Sequence, residues 1–145
     1  MKNEAELRAA IVAEAETWLR TPYHHQAAVK GHGVDCAQIL IEVYSTVGLA
    51  EKLDAGYYPH DWMLHRSEER YLQNIEQYCI QTDTPKPGDI AMFKYGRCFS
   101  HSAIVVDYPS VIHAQLEDGC CYANAEQGTL AGRDVVFYTF FWGDK

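Results

Sequence analysis

The stretch that decides the fold is residues 33–48, GVDCAQILIEVYSTVG, in which a glycine-containing loop runs into a helix. Asp35 is a favourable N-cap residue, and Gly48 is suited to the C-terminal cap. Between them, apolar residues recur at helical spacing: Ile39, Leu40, Val43 and Val47. The pattern predicts a helix over residues 36–47 and puts Cys36 in its first turn, where backbone N–H groups have no partner within the helix.

The chain before this helix is predicted to contain one further helix and a loop. Residues 4–20 show an amphipathic helical pattern, and Asn3 and Glu6 are placed to form a capping box at its start. Pro22 ends this helix, because the residue before a proline rarely stays helical. Residues 21–34 carry two glycines and three histidines without any periodicity, which predicts a loop leading to the second helix.

The second half of the chain is predicted to be mostly strand. An irregular aromatic segment at 49–66 and a third helix at 67–79 precede a proline-rich turn at 85–89. Short β-rich runs follow this turn: Ile90–Phe93, Ser102–Val106, Val111–Ala114, Cys120–Ala123 and Val135–Phe141. Their connections are too short for parallel crossovers. We therefore expect an α+β domain whose N-terminal helices pack on a mostly antiparallel sheet of about five strands.

Length, composition and charge are those of one globular domain covering residues 1–145. The chain has 145 residues, of which 48% are hydrophobic, and 12 basic against 20 acidic residues give a net charge of −8. An acidic chain of this kind is unsuited to broad binding of nucleic-acid phosphates, and no apolar run reaches the roughly 18–20 residues of a membrane span. The first residues lack the apolar core of a signal peptide, so we expect the chain to be cytoplasmic when made.

The five cysteines are expected to be reduced. They are Cys36, Cys79, Cys98, Cys120 and Cys121. No Cys-x-x-Cys motif occurs, and the neighbouring pair at 120–121 would form only a strained bridge. Each thiol is therefore a packing residue, a metal ligand or a nucleophile.

Three residues have the chemistry of a nucleophile, a base and a group that orients the base. A thiol at a helix N-terminus has a lowered pKa, and the same N–H groups can stabilise an oxyanion, which favours Cys36 as a nucleophile. His101 follows a loop at the start of a predicted strand, and His113 lies twelve residues on, across the predicted hairpin turn at 107–110. Two histidines on adjacent antiparallel strands can face the same side of the sheet. A hydrogen bond between them then fixes which ring nitrogen of the base carries the proton. The alternative is that the cysteine is a small buried hydrophobe and that both histidines are half-buried strand residues bonded to the backbone.

The loop before the second helix contains a weak metal-binding pattern and a candidate tyrosine donor. His24, His25, His32 and Cys36 are of zinc-ligand types, but their spacing matches no standard knuckle, and adjacent histidines reach one ion poorly. We therefore expect no metal and no cofactor. The phenol of Tyr23 is placed to donate to an oxyanion ahead of the helix, and the alternative is a core or rim aromatic.

Five ordered motifs resemble those of the NlpC/P60 cysteine peptidases. They span about residues 5–141 and are Thr21-Pro22-Tyr23, Gly33-Val34-Asp35-Cys36, Pro87-Gly88-Asp89-Ile90-Ala91-Met92-Phe93, Ser100-His101-Ser102-Ala103-Ile104-Val105-Val106 and Val111-Ile112-His113-Ala114. The resemblance implies a papain-like α+β fold, in which the cysteine lies on a helix packed against an antiparallel sheet that bears the histidine. It also implies cleavage of the stem peptides of bacterial peptidoglycan, typically between γ-D-glutamate and a diamino acid.

The resemblance further implies roles for individual residues. Cys36 matches the nucleophile, His101 the base and His113 the polar orienting residue. Tyr23 matches the tyrosine that lies against the thiol. Asp35 matches an aspartate that helps to bind the free amine of the stem peptide.

Departures from the family pattern indicate a branch and leave other functions open. Ala37-Gln38 follow the cysteine where the family commonly has Ser-Gly, and residues 24–27 replace the usual Gly-Gly. The segments 22–26 and 58–62 resemble the branch found in phage and gene-transfer-agent tails, which implies a peptidase carried by a phage-type tail. The alternatives are a catalytically weak or inactive tail-assembly component and a cysteine-dependent amidase or acyltransferase acting on another substrate.

Overall fold

The structure is a computed structural model that describes residues 3–49, 76–96 and 98–141. Its two helices, α1 and α2, span Glu4–Glu16 and Cys36–Thr46. The strands are β1 (Ala28–Val29), β2 (Gly33–Val34), β3 (Ile80–Thr82), β4 (Ile90–Tyr95), β5 (Cys98–Asp107), β6 (Ser110–Gln115), β7 (Gly119–Asn124) and β8 (Val135–Thr139). A single 3₁₀ turn, Gly128–Leu130, lies between β7 and β8. No helix in the described part of the chain is long and apolar enough to span a membrane.

The large sheet has six antiparallel strands in the order β3-β8-β4-β5-β6-β7. Strands β4 to β7 follow one another as hairpins, while β8 returns to lie between β3 and β4. Both helices pack against this sheet, so the expected α+β architecture is confirmed. The sheet has one strand more than expected, because β3 pairs with β8 at the edge although its three residues show no strand pattern of their own.

The first helix is shorter than predicted. The expected capping box is present at its start, but α1 ends at Glu16 rather than at residue 20. The chain then turns, since the backbone N–H of Arg20 donates to Cys120 O in β7, a bond that a continuing helix would remove. Most of the predicted third helix, 67–79, and nearly all of the predicted irregular segment, 49–66, lie outside the described residues.

The predicted loop at 21–34 contains a small second sheet. Strands β1 and β2 pair antiparallel, with Ala28 opposite Val34 and Val29 opposite Gly33. Strands of two residues are too short to show a periodic pattern, so this hairpin has no signal in the sequence.

The centre of the large sheet is buried on both faces, and alternation along the strands separates two hydrophobic clusters. The cluster shared with α1 and α2 contains Ile90, Met92, Ile104, Ile112 and Ala114. The cluster on the opposite face contains Ala91, Phe93, Ala103, Val105, Val111 and Leu130. Even-numbered residues at the centre of β5 therefore face the helices, and odd-numbered residues face away from them.

A buried ion pair attaches α1 to the turn before β4. Arg8 Nη1 lies 2.8 Å from Asp89 Oδ1 and 2.9 Å from Pro87 O. Arg8 Nη2 lies 3.3 Å from Thr139 Oγ1, and the guanidinium carbon lies 4.4 Å from the centroid of the Phe141 ring. The buried guanidinium is thus held by partners from several segments of the chain.

Candidate active site

The loop before α2 wraps around the start of that helix and carries Tyr23 beside it. Val34 N–H donates to Pro22 O at 3.0 Å, and His24 N–H donates to Val34 O at 3.0 Å. These bonds accompany an isolated parallel bridge between Tyr23 and Val34. Burial first and the adjacent Cys36 second raise the pKa of the Tyr23 phenol, so the half-buried side chain stays a hydrogen-bond donor.

A glycine allows strand β7 to hold this loop in place. Cys120 N–H donates to Thr21 O at 2.8 Å, so the chain just before Tyr23 pairs with the start of β7. Gly119 has a φ of +70°, and a Cβ on it would clash with Thr21 O. A side chain at this position would therefore displace the loop and Tyr23 with it.

Asp35 is buried at the N-cap of α2 and joins the loop to the helix. Its Oδ1 accepts from the Gln38 N–H at 2.8 Å, and its Oδ2 accepts from the Gln26 N–H at 2.6 Å. The residue is 1% exposed. The carboxylate is thus engaged within the protein, and its contact with a substrate amine stays a prediction.

His101 on β5 and His113 on β6 form a buried pair. His101 Nε2 lies 2.7 Å from His113 Nδ1, and the two rings meet edge to face. The other nitrogen of His101, Nδ1, makes no hydrogen bond within the described part of the chain. A base at Nδ1 requires the hydrogen of the neutral ring on Nε2, and His113 Nδ1 can accept it there and so hold that tautomer.

Burial keeps both histidines neutral. Desolvation, followed by the charges of His113 and Arg133, lowers the pKa of His101 to about 3. Desolvation also lowers the pKa of His113 to about 4, against a smaller upward effect of Asp118. Both rings are therefore uncharged near neutral pH.

Cys36 is buried at the first position of α2 and lies against Ser102 of β5. Ser102 Oγ donates to Cys36 O at 3.0 Å, and hydrogen bonds from the Ser102 backbone and side chain act to lower the pKa of the thiol. Burial first and the Asp35 carboxylate second outweigh these bonds and raise the pKa of Cys36 to about 12. The Cys36 side chain is therefore a neutral thiol near neutral pH, because burial and Asp35 outweigh the lowering of the pKa that is expected at a helix N-terminus.

Two neighbouring residues of β5, His101 and Ser102, contact different parts of the candidate site. Ser102 faces α2 and contacts Cys36. His101 pairs in register with Phe93 and is directed to the other face, where its ring centroid lies 4.9 Å from that of Tyr95. Among residues 3–49, 76–96 and 98–141, no hydrogen bond joins Cys36 to His101. Proton transfer between Cys36 and His101 therefore requires the thiol and Nδ1 of His101 to come within hydrogen-bonding distance.

The histidines of the loop do not form a metal centre with Cys36. Gly33 lies against the side chain of His24, and His32 is exposed. In the described part of the chain, no group of three or more histidine, cysteine or acidic side chains is arranged to hold a metal ion.

Three further residues of the site are missed by the sequence analysis. Ser102 holds Cys36, as described above, and Tyr95 lies between the His101 ring and Arg133, whose guanidinium carbon is 3.6 Å from the Tyr95 centroid. Arg133 Nη1 also donates to Lys94 O at 3.1 Å. A polar residue among the apolar ones of β5 was a signal for Ser102, whereas the other two contacts depend on how distant segments meet.

Comparison with known proteins shows what the chain is similar to. Residues 20–138 match the family model described as NlpC/P60 family. The NlpC/P60 domain of the peptidoglycan hydrolase SagA is 23% identical, with a TM-score of 0.59 over 89% of this chain and 96% of that one. NlpC1 from Trichomonas vaginalis is 15% identical, with a TM-score of 0.67 over 99% of this chain and 47% of that one. An NlpC/P60 family protein from Bacillus cereus is 15% identical, with a TM-score of 0.61 over 89% and 39%.

The family and structural matches differ in what they establish. No curated protein sequence matches the chain. At these identities the solved structures show a common fold, and the chain spans less than half of the Trichomonas and Bacillus proteins. The family model, however, matches residues 20–138, which is most of the chain and includes both candidate catalytic histidines. The chain therefore belongs to the NlpC/P60 family.

Proposed function

We propose that the protein is a cysteine peptidase that hydrolyses the stem peptides of bacterial peptidoglycan. The observation that carries this proposal is the buried His101–His113 pair, which leaves Nδ1 of a neutral imidazole on the strand that contacts Cys36. Membership of the NlpC/P60 family supports it, since one similar domain belongs to a peptidoglycan hydrolase.

The proposed reaction starts from the neutral thiol and proceeds through a thioester. As Cys36 Sγ attacks the carbonyl carbon, His101 Nδ1 takes the thiol proton, so charge develops only when substrate is in place. Collapse of the tetrahedral intermediate breaks the C–N bond, and His101 gives its proton to the leaving amine. Water then attacks the thioester, loses a proton to His101, and the proton returns to the thiol as the acid is released.

Two donors are proposed for the oxyanion of the tetrahedral intermediate. The backbone N–H of Cys36 lies in the first turn of α2, where N–H groups lack partners within the helix. The raised pKa of Tyr23 keeps its phenol protonated beside this turn. Together they would stabilise the charge that forms on the carbonyl oxygen.

The scissile bond and the carrier of the enzyme are finer proposals. The motif resemblance supports cleavage between γ-D-glutamate and the diamino acid. The same resemblance supports association with a phage-type tail, and co-purification of the chain with tail particles would test it. If purified tail particles lack the chain, the association is contradicted. The peptidase activity is tested separately, by digestion of muropeptides.

Digestion of purified muropeptides tests the proposed function directly. We expect new amino groups on the diamino acid and, by mass spectrometry, fragments that end in γ-D-glutamate. The Cys36→Ser variant should release none. Absence of new amino groups from the wild-type digest, at several pH values and with several stem-peptide types, would contradict the proposal.

A second candidate is a structural protein that retains the site without turnover. The burial of Cys36 and its contact with Ser102 in place of His101 favour this candidate. Alkylation of Cys36 by iodoacetamide, followed on the Cys36 peptide by mass spectrometry, distinguishes the two. A working pair predicts slower alkylation in His101→Gln than in the wild type, whereas an inert thiol predicts equal rates.

A further inference from the structure

A polar pocket is lined in part by His113. It lies between the β6–β7 hairpin and the 3₁₀ turn, and its volume is about 360 Å³. This volume falls within the roughly 300–1,000 Å³ of small-molecule sites. Amide, carboxylate and hydroxyl side chains line most of it: Gln115, Glu117, Asp118, Asn124, Gln127 and Thr129.

His113 leaves one hydrogen-bonding atom unused at the wall of this pocket. The residue is 1% exposed, and its Nε2 has no hydrogen-bond partner in the described part of the chain. Because Nδ1 of the same ring is turned to His101, Nε2 lies on the opposite side of the ring. Buried polar atoms without partners are rare in folded proteins, and one beside a pocket marks a position for a ligand atom.

The tautomer required by the proposed reaction makes this unused atom a donor. A base at Nδ1 of His101 needs the hydrogen on its own Nε2, which then donates to Nδ1 of His113. The hydrogen of the neutral His113 ring is consequently on Nε2. The ligand atom that satisfies it must be an acceptor, which excludes an ammonium group at this position.

The negative charge of the pocket excludes further chemical classes of ligand. Glu117 and Asp118 line it, and no lysine or arginine is among its lining residues. A carboxylate or phosphate would be repelled there, whereas a hydroxyl group can accept from His113 Nε2 and also donate to a carboxylate. The Asp118 carboxylate lies close enough to His113 to raise the pKa of that ring, and its Oδ2 accepts a hydrogen bond from Gln115 Nε2 within the protein.

We propose that this pocket binds a sugar unit, whose neighbouring hydroxyl groups join His113 Nε2 to the Asp118 carboxylate. The Thr129 hydroxyl and the lining amides offer further partners of the kind that sugar hydroxyls use. The site rests on the proposed function in two respects: the tautomer that makes His113 Nε2 a donor is the one that the reaction requires, and the natural ligand would be the glycan that carries the stem peptide. A bound sugar would hold His113 in the tautomer that His101 needs.

The test follows the ring nitrogens of His113 while a sugar is added to the full chain. The probe is the disaccharide of N-acetylglucosamine, and the readout is the ¹H–¹⁵N correlation of the histidine rings. We expect a saturable change in the His113 signals and none in those of the exposed His32. Absence of a saturable change up to about 50 mM, well above the dissociation constants of weak but specific binding, would overturn the proposal.

Lining variants test the assignment of partners. Asp118→Asn and Thr129→Val should each weaken binding about fivefold to tenfold, the effect of one lost hydrogen bond. The matched control is Asp83→Asn, which changes an exposed acid next to β3, at the sheet edge opposite β7, and should bind as the wild type does. Equal affinity of the Asp118→Asn and Asp83→Asn variants would contradict the site.

Failure of this proposal is separable from failure of the proposed function, because sugar binding is measured without turnover. If the protein releases amino groups from muropeptides but does not bind the disaccharide, only the sugar site is overturned. A saturable His113 response in a protein that releases no amino groups would overturn the peptidase alone.

Discussion

The Arg8–Asp89 pair and the cluster of Cys36, His101 and His113 are both buried and polar, yet they differ in how completely they are bonded. Arg8 is bound by Asp89, by a backbone carbonyl and by a hydroxyl group. In the second cluster, His101 Nδ1 and His113 Nε2 have no partner in the described part of the chain. Burial also shifts the pKa values of all three residues of that cluster away from their ordinary ranges.

This difference separates a group that supports the fold from one that is suited to chemistry. A buried charge with several partners stabilises the arrangement of the segments that supply them, and its loss costs free energy of folding. A buried atom without a partner costs free energy in the resting protein and gains a bond when a ligand or a proton arrives. Substitutions in the two clusters should therefore affect different measurements.

The largest effect is expected from Cys36→Ser, measured as the rate of amine release from muropeptides. Replacing the sulfur by oxygen removes the nucleophile while keeping its size, so activity should fall by at least about 10³-fold. The urea unfolding midpoint should change little. The matched control is Cys79→Ser, because burial also raises the pKa of Cys79 to about 12 although it lies at another place in the fold. Loss of activity in both variants would show that activity falls because the protein unfolds, and not because the nucleophile is missing.

Arg8→Ala is expected to give the largest loss of stability. It leaves the Asp89 carboxylate buried without its cation, which costs about 3–5 kcal/mol of unfolding free energy by urea denaturation. The folded fraction should keep its activity, since the pair touches none of the three candidate catalytic residues. Lys30→Ala breaks an exposed pair with Glu14 and should cost less than about 1 kcal/mol. Similar losses in the two variants would contradict the contrast between the clusters.

The two histidines should contribute unequally to activity. His101→Ala removes the proposed base, whereas His113→Ala removes the residue that holds its tautomer. We expect a loss of about 10²–10⁴-fold in kcat for the first and a smaller loss for the second, measured on muropeptides. A greater loss in His113→Ala would indicate that His113, and not His101, is the base.

The sequence predicts those features of the fold that depend on neighbouring residues. The N-cap at Asp35, the capping box of α1 and the strands β4 to β8 are all visible as local patterns, and the structure contains them. The end of α1 is different, because it depends on the bond from Arg20 to Cys120, one hundred residues away. Strand β3 likewise forms only because β8 returns beside it.

The same distinction applies to the candidate site. The hairpin turn after β5 places His101 near His113, which is a local consequence of strand pairing. The protonation of Cys36 is not local, since it results from the burial of the whole helix start against β5. The helix N-terminus by itself predicts a lowered pKa, and only the packed structure shows that burial reverses this direction.

The last effect concerns the pH dependence of stability. The pKa of His101 is lowered to about 3 and that of His113 to about 4, whereas an unfolded chain has histidine pKa values near 6.5. The unfolded state therefore binds more protons between these values. Each ring contributes stability that is fully present above about pH 6.5 and is lost as the pH falls toward 4 and then 3.

Urea denaturation at pH 7, 6 and 5 measures this dependence. Unfolding of the wild type should take up close to one additional proton for each buried histidine near pH 5. The double variant His101→Gln and His113→Gln should lose that part of the slope, while His32→Gln, at an exposed position, should keep the slope of the wild type. Carboxylates titrate in the same range, but they are common to all three proteins and leave the difference between slopes intact. If the double variant keeps the wild-type slope of unfolding free energy against pH, the two rings are already charged in the folded protein near pH 5. The proposed reaction would then lack the neutral base on which it depends.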